Sequence, residues 1–72
     1  MTYRYGPTVI PVEATARTIQ VHDVITIGGM AFEVTNLSDL PYRARQLRFA
    51  SGESMTVHAK TRLPITRAVR KW

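Results

Sequence analysis

Two β-rich runs separated by a pair of glycines constrain this chain more than any other feature. Val24-Ile25-Thr26-Ile27 precedes Gly28-Gly29, and Met30-Ala31-Phe32-Glu33-Val34-Thr35 follows. Branched side chains favour extended backbone, and a Gly-Gly pair supplies the positive φ angles that a two-residue hairpin loop demands. The segment is therefore predicted to be an antiparallel hairpin. A second unit repeats the logic, with Arg45-Gln46-Leu47-Arg48-Phe49-Ala50, the loop Ser51-Gly52-Glu53, and Ser54-Met55-Thr56-Val57-His58-Ala59. Its three-residue loop, with glycine in the middle, predicts a bulged turn. Apolar residues recur at period two instead of 3.6, so the chain is read as all-β.

A last strand is expected over residues 65–70, with Pro64 at its start where the missing N–H is tolerable. Lys60-Thr61-Arg62-Leu63 would be a short turn or one 3₁₀ turn, and Ser38-Asp39-Leu40-Pro41-Tyr42 a loop. Pro7 and Pro11 punctuate the start, and residues 11–17 fit a loop, an edge strand or one helical turn. Residues 1–18 are accordingly expected to be a poorly ordered N-terminal arm, and residues 19–72 the folded domain. Alternation places Leu47, Phe49, Met55, Val57, Ile25, Ile27, Phe32 and Val34 inward, with Val21, Leu37, Leu63, Ile65 and Val69 closing the core.

With 72 residues there is room for one small domain, whose folding buries only about 60% of the chain surface. The chain has no cysteine, which excludes disulfides, thiolate metal sites and cysteine nucleophiles and fits a reducing compartment. No run approaches the roughly 20 apolar residues of a membrane helix, and the start lacks the apolar stretch of a secretory signal. A cytoplasmic location is the expectation. Eight of the ten basic residues are Arg, a bias of GC-rich genomes that points towards an actinobacterial host or its mobile elements.

Charge is uneven along the chain. Residues 1–39 carry Arg4 and Arg17 against Glu13, Asp23, Glu33 and Asp39, a net of −2. Residues 40–72 carry Arg43, Arg45, Arg48, Lys60, Arg62, Arg67, Arg70 and Lys71 against Glu53, a net of +7. Such asymmetry points to an anionic partner.

Five short strands, two tight hairpins and a short turn before the last strand describe a small five-stranded SH3-like barrel. Val21-His22-Asp23-Val24-Ile25-Thr26-Ile27-Gly28-Gly29-Met30-Ala31-Phe32-Glu33-Val34 resembles the opening of KOW- and Tudor-type SH3-like barrels. Those commonly read as a hydrophobic residue, Gly and Asp, then a strand, a glycine turn and a second strand. His22 stands where such sequences usually have Gly. The layout is also similar to that of short uncharacterised proteins of actinobacteria and their mobile elements, over about residues 19 to 70. The resemblance implies a module that binds nucleic acid or protein and carries out no chemistry.

The residues weighed for function follow from the charge. Arg48, His58 and Lys60 are expected to form one outward strip, extended by Arg43, Arg45, Arg62 and Arg70, that displaces counterions from nucleic-acid phosphates, DNA before RNA. The alternative for the same residues is a solvated face that maintains solubility, or a surface docking an acidic protein in a monomer or weak homodimer. Tyr42 beside Arg43, and Trp72 after Arg70-Lys71, are candidate base-stacking residues. Phe32 and Phe49 fall on core positions. Asp23 is read as capping a turn, and His22 with Asp23 is too sparse a set for a metal. No nucleophile motif, phosphate loop or carboxylate pair is present, so no enzyme activity and no cofactor are expected.

Overall fold

The computed structural model describes residues 8–69. Six strands form one antiparallel sheet: β1 (Thr8–Thr15), β2 (Val24–Ile27), β3 (Met30–Asp39), β4 (Arg45–Phe49), β5 (Ser54–Val57) and β6 (Arg62–Val69). Their order is β1-β6-β2-β3-β4-β5. Among the described residues there is no α-helix, and none that is long and apolar enough to cross a membrane.

The glycine hairpin forms as expected. Ile27 pairs with Met30, and Gly28 (φ 58°) and Gly29 (φ 82°) occupy the loop. Positive φ at both central positions is the signature of a type I′ turn, whose twist matches that of the flanking strands. In the second hairpin Arg48 faces Ser54, Phe49 N–H donates to Glu53 C=O (2.8 Å) and Gly52 N–H to Phe49 C=O (2.9 Å). The loop is therefore Ala50-Ser51-Gly52, one residue earlier than expected. Gly52 (φ 96°) takes the last loop position, where a bulged turn needs left-handed backbone.

Several expectations are corrected. The sheet has six strands where five were expected, and it does not close into a barrel: β1 and β5 are its edges. The segment from Thr8, expected to be poorly ordered with an edge strand among the readings of residues 11–17, is an edge strand paired with β6 from Thr8↔Val69 to Thr15↔Arg62. Pro11 disguised it, because proline disrupts strand patterns yet is tolerated at an edge. β6 starts at Arg62, so Pro64 lies inside the strand, opposite Glu13. The connection before it is residues 58–61, two residues earlier than expected and closed by Thr61 N–H to His58 C=O (3.1 Å). Ser38 and Asp39 are strand residues of β3, paired with Gln46 and Arg45. β5 ends at Val57, leaving His58 and Ala59 outside it.

β3 serves two ladders. Met30–Glu33 pair with β2, whereas Val34–Asp39 pair with β4, with a register shift between Val34 and Asn36. Thr35 lies at the irregularity, its hydroxyl donating to the Arg48 carbonyl (3.0 Å). Bulges of this kind bend a strand, and the bend folds the two ladders over a shared core.

That core holds Ile25, Val34, Leu47, Phe49, Val57 and Ile65 as read from alternation, together with Ala14, Ala16 and Ile19, which were not anticipated. Phe32 is half-buried and tilts against Phe49 with ring centroids 5.3 Å apart. Met55, Leu37 and Leu63 pack at the margin. Ile27, Val21 and Val69, placed inward by alternation, are exposed. Ile27 lies at a hairpin tip and Val69 at a strand end, where no facing layer covers them.

Candidate nucleic-acid interface

Acidic residues decide which cations remain available. Asp39 sits between Arg45 (Nε–Oδ1 2.9 Å) and Arg17 (Nη2–Oδ1 3.2 Å). The hydrogen bond from Arg45, then that from Arg17, holds the Asp39 carboxyl below its ordinary range. Glu13 lies 3.6 Å from Arg62 across the β1–β6 ladder, and Glu33 Oε2 lies 2.9 Å from His22 Nδ1. Two members of the expected strip, Arg45 and Arg62, are thus already paired with carboxylates.

The buried carboxylate is Asp23. Its Oδ2 accepts from Gln20 N–H (2.8 Å), the turn-capping role expected of it. It also receives a two-pronged contact from Arg67, with Nε to Oδ1 and Nη2 to Oδ2 both at 2.9 Å, and Arg67 further donates to Thr18 C=O (3.1 Å). The Asp23 hydrogen bond raises the Arg67 pKa. This arrangement escaped the sequence reading because 44 residues separate the partners. It removes Arg67 from any surface role. His22 (φ 82°) occupies the third position of the turn that Asp23 N–H closes onto Gln20 C=O (3.1 Å), a position that favours glycine.

Among the described residues no carboxylate lies within ion-pairing distance of Arg43, Arg48 or Lys60. The register separates them. Arg48 faces Ser54, four residues from His58, or about 13 Å at strand rise. Arg48, His58 and Lys60 therefore do not form the single strip expected. The β4–β5 ladder ends at Arg45↔Val57, so Ala44 and His58 leave it together. This brings Tyr42 and Arg43, before β4, to the same end of the sheet as His58 and Lys60, after β5. Arg48 stands towards the opposite end. Arg70 and Trp72 lie outside the described residues.

The Tyr42-Arg43 segment has unusual backbone. Residues 41–44 form a tight turn, tied by Leu40 N–H to Ala44 C=O (2.9 Å) and Ala44 N–H to Pro41 C=O (3.3 Å). Tyr42 (φ 63°, ψ 30°) and Arg43 (φ 65°) are both left-handed. Tyr42 is 94% exposed. Phe32 and Phe49 pack on each other, so among the described residues Tyr42 is the one aromatic side chain presented to solvent. The sequence marks Ser38-Asp39-Leu40-Pro41-Tyr42 as a loop, of which Ser38 and Asp39 belong to β3; the handedness of the Tyr42-Arg43 backbone had no sequence signal, since neither residue is Gly or Asn.

No group of three His, Asp or Glu side chains placed to hold a metal occurs among the described residues. No protein-family model, curated protein or solved structure matches the chain.

Proposed function

We propose that this small all-β protein binds nucleic acid, DNA before RNA, through backbone phosphates with low sequence specificity, in a regulatory or architectural role and without catalysis. The reading rests chiefly on Arg43 and Lys60, cations with no carboxylate partner among the described residues, which gather with His58 at one end of the sheet. The net charge of +5 adds a long-range attraction to anions. Arginine holds phosphate in two-pronged fashion, so Arg43 is the principal anchor and Lys60 a point charge beside it. Arg48 is a peripheral contact, and Arg45 and Arg62 contribute only on exchanging their carboxylates for phosphate. We read strands β2–β6 as an SH3-like unit of the KOW and Tudor kind. The return of β6 beside β2, with Val24↔Thr66 and Ile25↔Ile65 paired, supports this.

A salt titration of binding to labelled random-sequence duplex, single-stranded DNA and RNA tests the reading. Affinity should fall on a log–log plot with a slope set by about three phosphates. Arg43→Glu and Lys60→Glu should each weaken binding across all sequences and lower that slope by about one. Absence of binding at low salt would overturn the proposal.

The open sheet favours a second reading, a protein-docking or self-associating module. Val9 and Ile10 of β1 and Val69 of β6 are exposed near one end of an unclosed sheet, and an uncovered edge invites strand addition. A concentration-dependent mass in sedimentation, with no nucleic-acid binding, would select it.

A further inference from the structure

Three features of the chain need left-handed backbone at a hairpin or bulged turn, and the sequence answers them differently. Gly28-Gly29 and Gly52 use glycine, which pays no steric penalty for positive φ. The turn between β3 and β4 uses Tyr42-Arg43 instead, with both residues at positive φ and Ala44 N–H bonded to Pro41 C=O. This is the φ pattern of a type I′ turn, whose favoured residues are Asn-Gly. A bulky aromatic residue in left-handed backbone is strained, and such strain persists only where its surroundings enforce it. Here the Leu40 amide bonded to the Ala44 carbonyl, and the Ala44 amide bonded to the Pro41 carbonyl, hold it.

Folding alone does not account for the choice. The Tyr42 ring is 94% exposed and therefore contributes almost nothing to the core. Arg43 beside it has no carboxylate partner among the described residues. The strained turn thus projects one flat aromatic face and one guanidinium at the end of the sheet where His58 and Lys60 also stand. In a duplex the base faces are stacked on one another, whereas an unpaired base offers its face to an aromatic ring.

Resting on the proposed nucleic-acid reading, we propose that the Tyr42-Arg43 turn is a stacking platform and that the ligand is single-stranded nucleic acid. One base lies on the Tyr42 ring, and the neighbouring phosphates meet Arg43 and Lys60. The sequence preference is low, since every base has a π face.

The test compares labelled oligo(dT) of about ten nucleotides with a random-sequence duplex of equal length. The wild-type protein should bind the single strand more tightly. Tyr42→Ala should weaken single-strand binding about tenfold or more while leaving the salt slope unchanged, because no charge is removed. Tyr42→Phe should restore it, because the ring is what the base requires. The double variant Tyr42→Asn, Arg43→Gly supplies the residues a type I′ turn favours; it should melt at a higher temperature than wild type yet lose single-strand binding, which separates folding from recognition. Tighter binding to the duplex, or single-strand affinity indifferent to Tyr42→Ala, would overturn the inference while leaving the broader reading intact. No binding to any nucleic acid would overturn both, and Tyr42 would then be an anchor for a protein partner.

Discussion

Asp23 shows how much one residue carries in a chain of this size. Its carboxylate is almost wholly enclosed, holding the Gln20 amide on one side and the Arg67 guanidinium on the other. Its own carbonyl accepts from Val34 N–H (2.9 Å), so the turn before β2, the middle of β3 and the end of β6 meet there. Removing one member of such a pair strands the other. Asp23→Ala should cost about 3–5 kcal/mol in denaturant titration; a loss below about 1 kcal/mol, the scale of an exposed pair, would show that solvent reaches the site. Asp39 is the contrasting case, an exposed carboxylate held by Arg45 and Arg17. Its pKa is lowered in the folded protein, so its contribution is present above the ordinary carboxylate range and lost as pH falls through the lowered value. The stability of Asp39→Asn should therefore lie slightly below wild type at neutral pH and converge with it in acid. A difference that widened on acidification would contradict that sign. The charges of both residues were legible in the sequence, but their partners were not, because a carboxylate's neighbour depends on which strands meet.

At the scale of elements, β2 and β4 were legible nearly to the residue, and β3 and β5 only at their starts, since β3 runs on to Asp39 and β5 ends at Val57. The misplaced bounds of β1 and β6 share a cause. β1 carries Pro11, and β6 carries Pro64, so both break the pattern that identifies strands while remaining compatible with the β1–β6 pairing. β1 is more than an appendage in this structure: Ala14 is fully buried, and Ala16 and Ile19 just beyond the strand join the same core. It also covers the edge of β6 along eight paired positions. Deleting residues 1–16 should therefore abolish cooperative unfolding and dispersed amide resonances. Retention of a folded spectrum would show that residues from Arg17 onwards suffice. The turn between β3 and β4 illustrates the opposite limit. Its existence was plain from Pro41, yet the paired left-handed residues Tyr42 and Arg43 were not, since composition favours that backbone only for Gly, Asn and Asp.

The whole molecule combines a thin core with a strong charge bias. Leu47 is the largest completely enclosed side chain, central to β4 between Leu37 and Met55. Leu47→Ala should cost about 2–5 kcal/mol, comparable with the whole stability of a small domain, so thermal scans should show no folded baseline at 37 °C. A cooperative transition well above that temperature would mean that the core repacks around the loss. What the sequence by itself determined was the β character, the positions of the glycine turns, most of the core and the positive balance of the C-terminal half, because period-two alternation and turn chemistry are local. Only the tertiary structure decided that the sheet stays open with β1 at its edge, that Asp23, Asp39 and Glu13 claim Arg67, Arg45 and Arg62, and that Tyr42, Arg43, His58 and Lys60 share one end. Those outcomes depend on strand register and on pairings between distant residues, and a one-residue change of register would send each side chain to the other face.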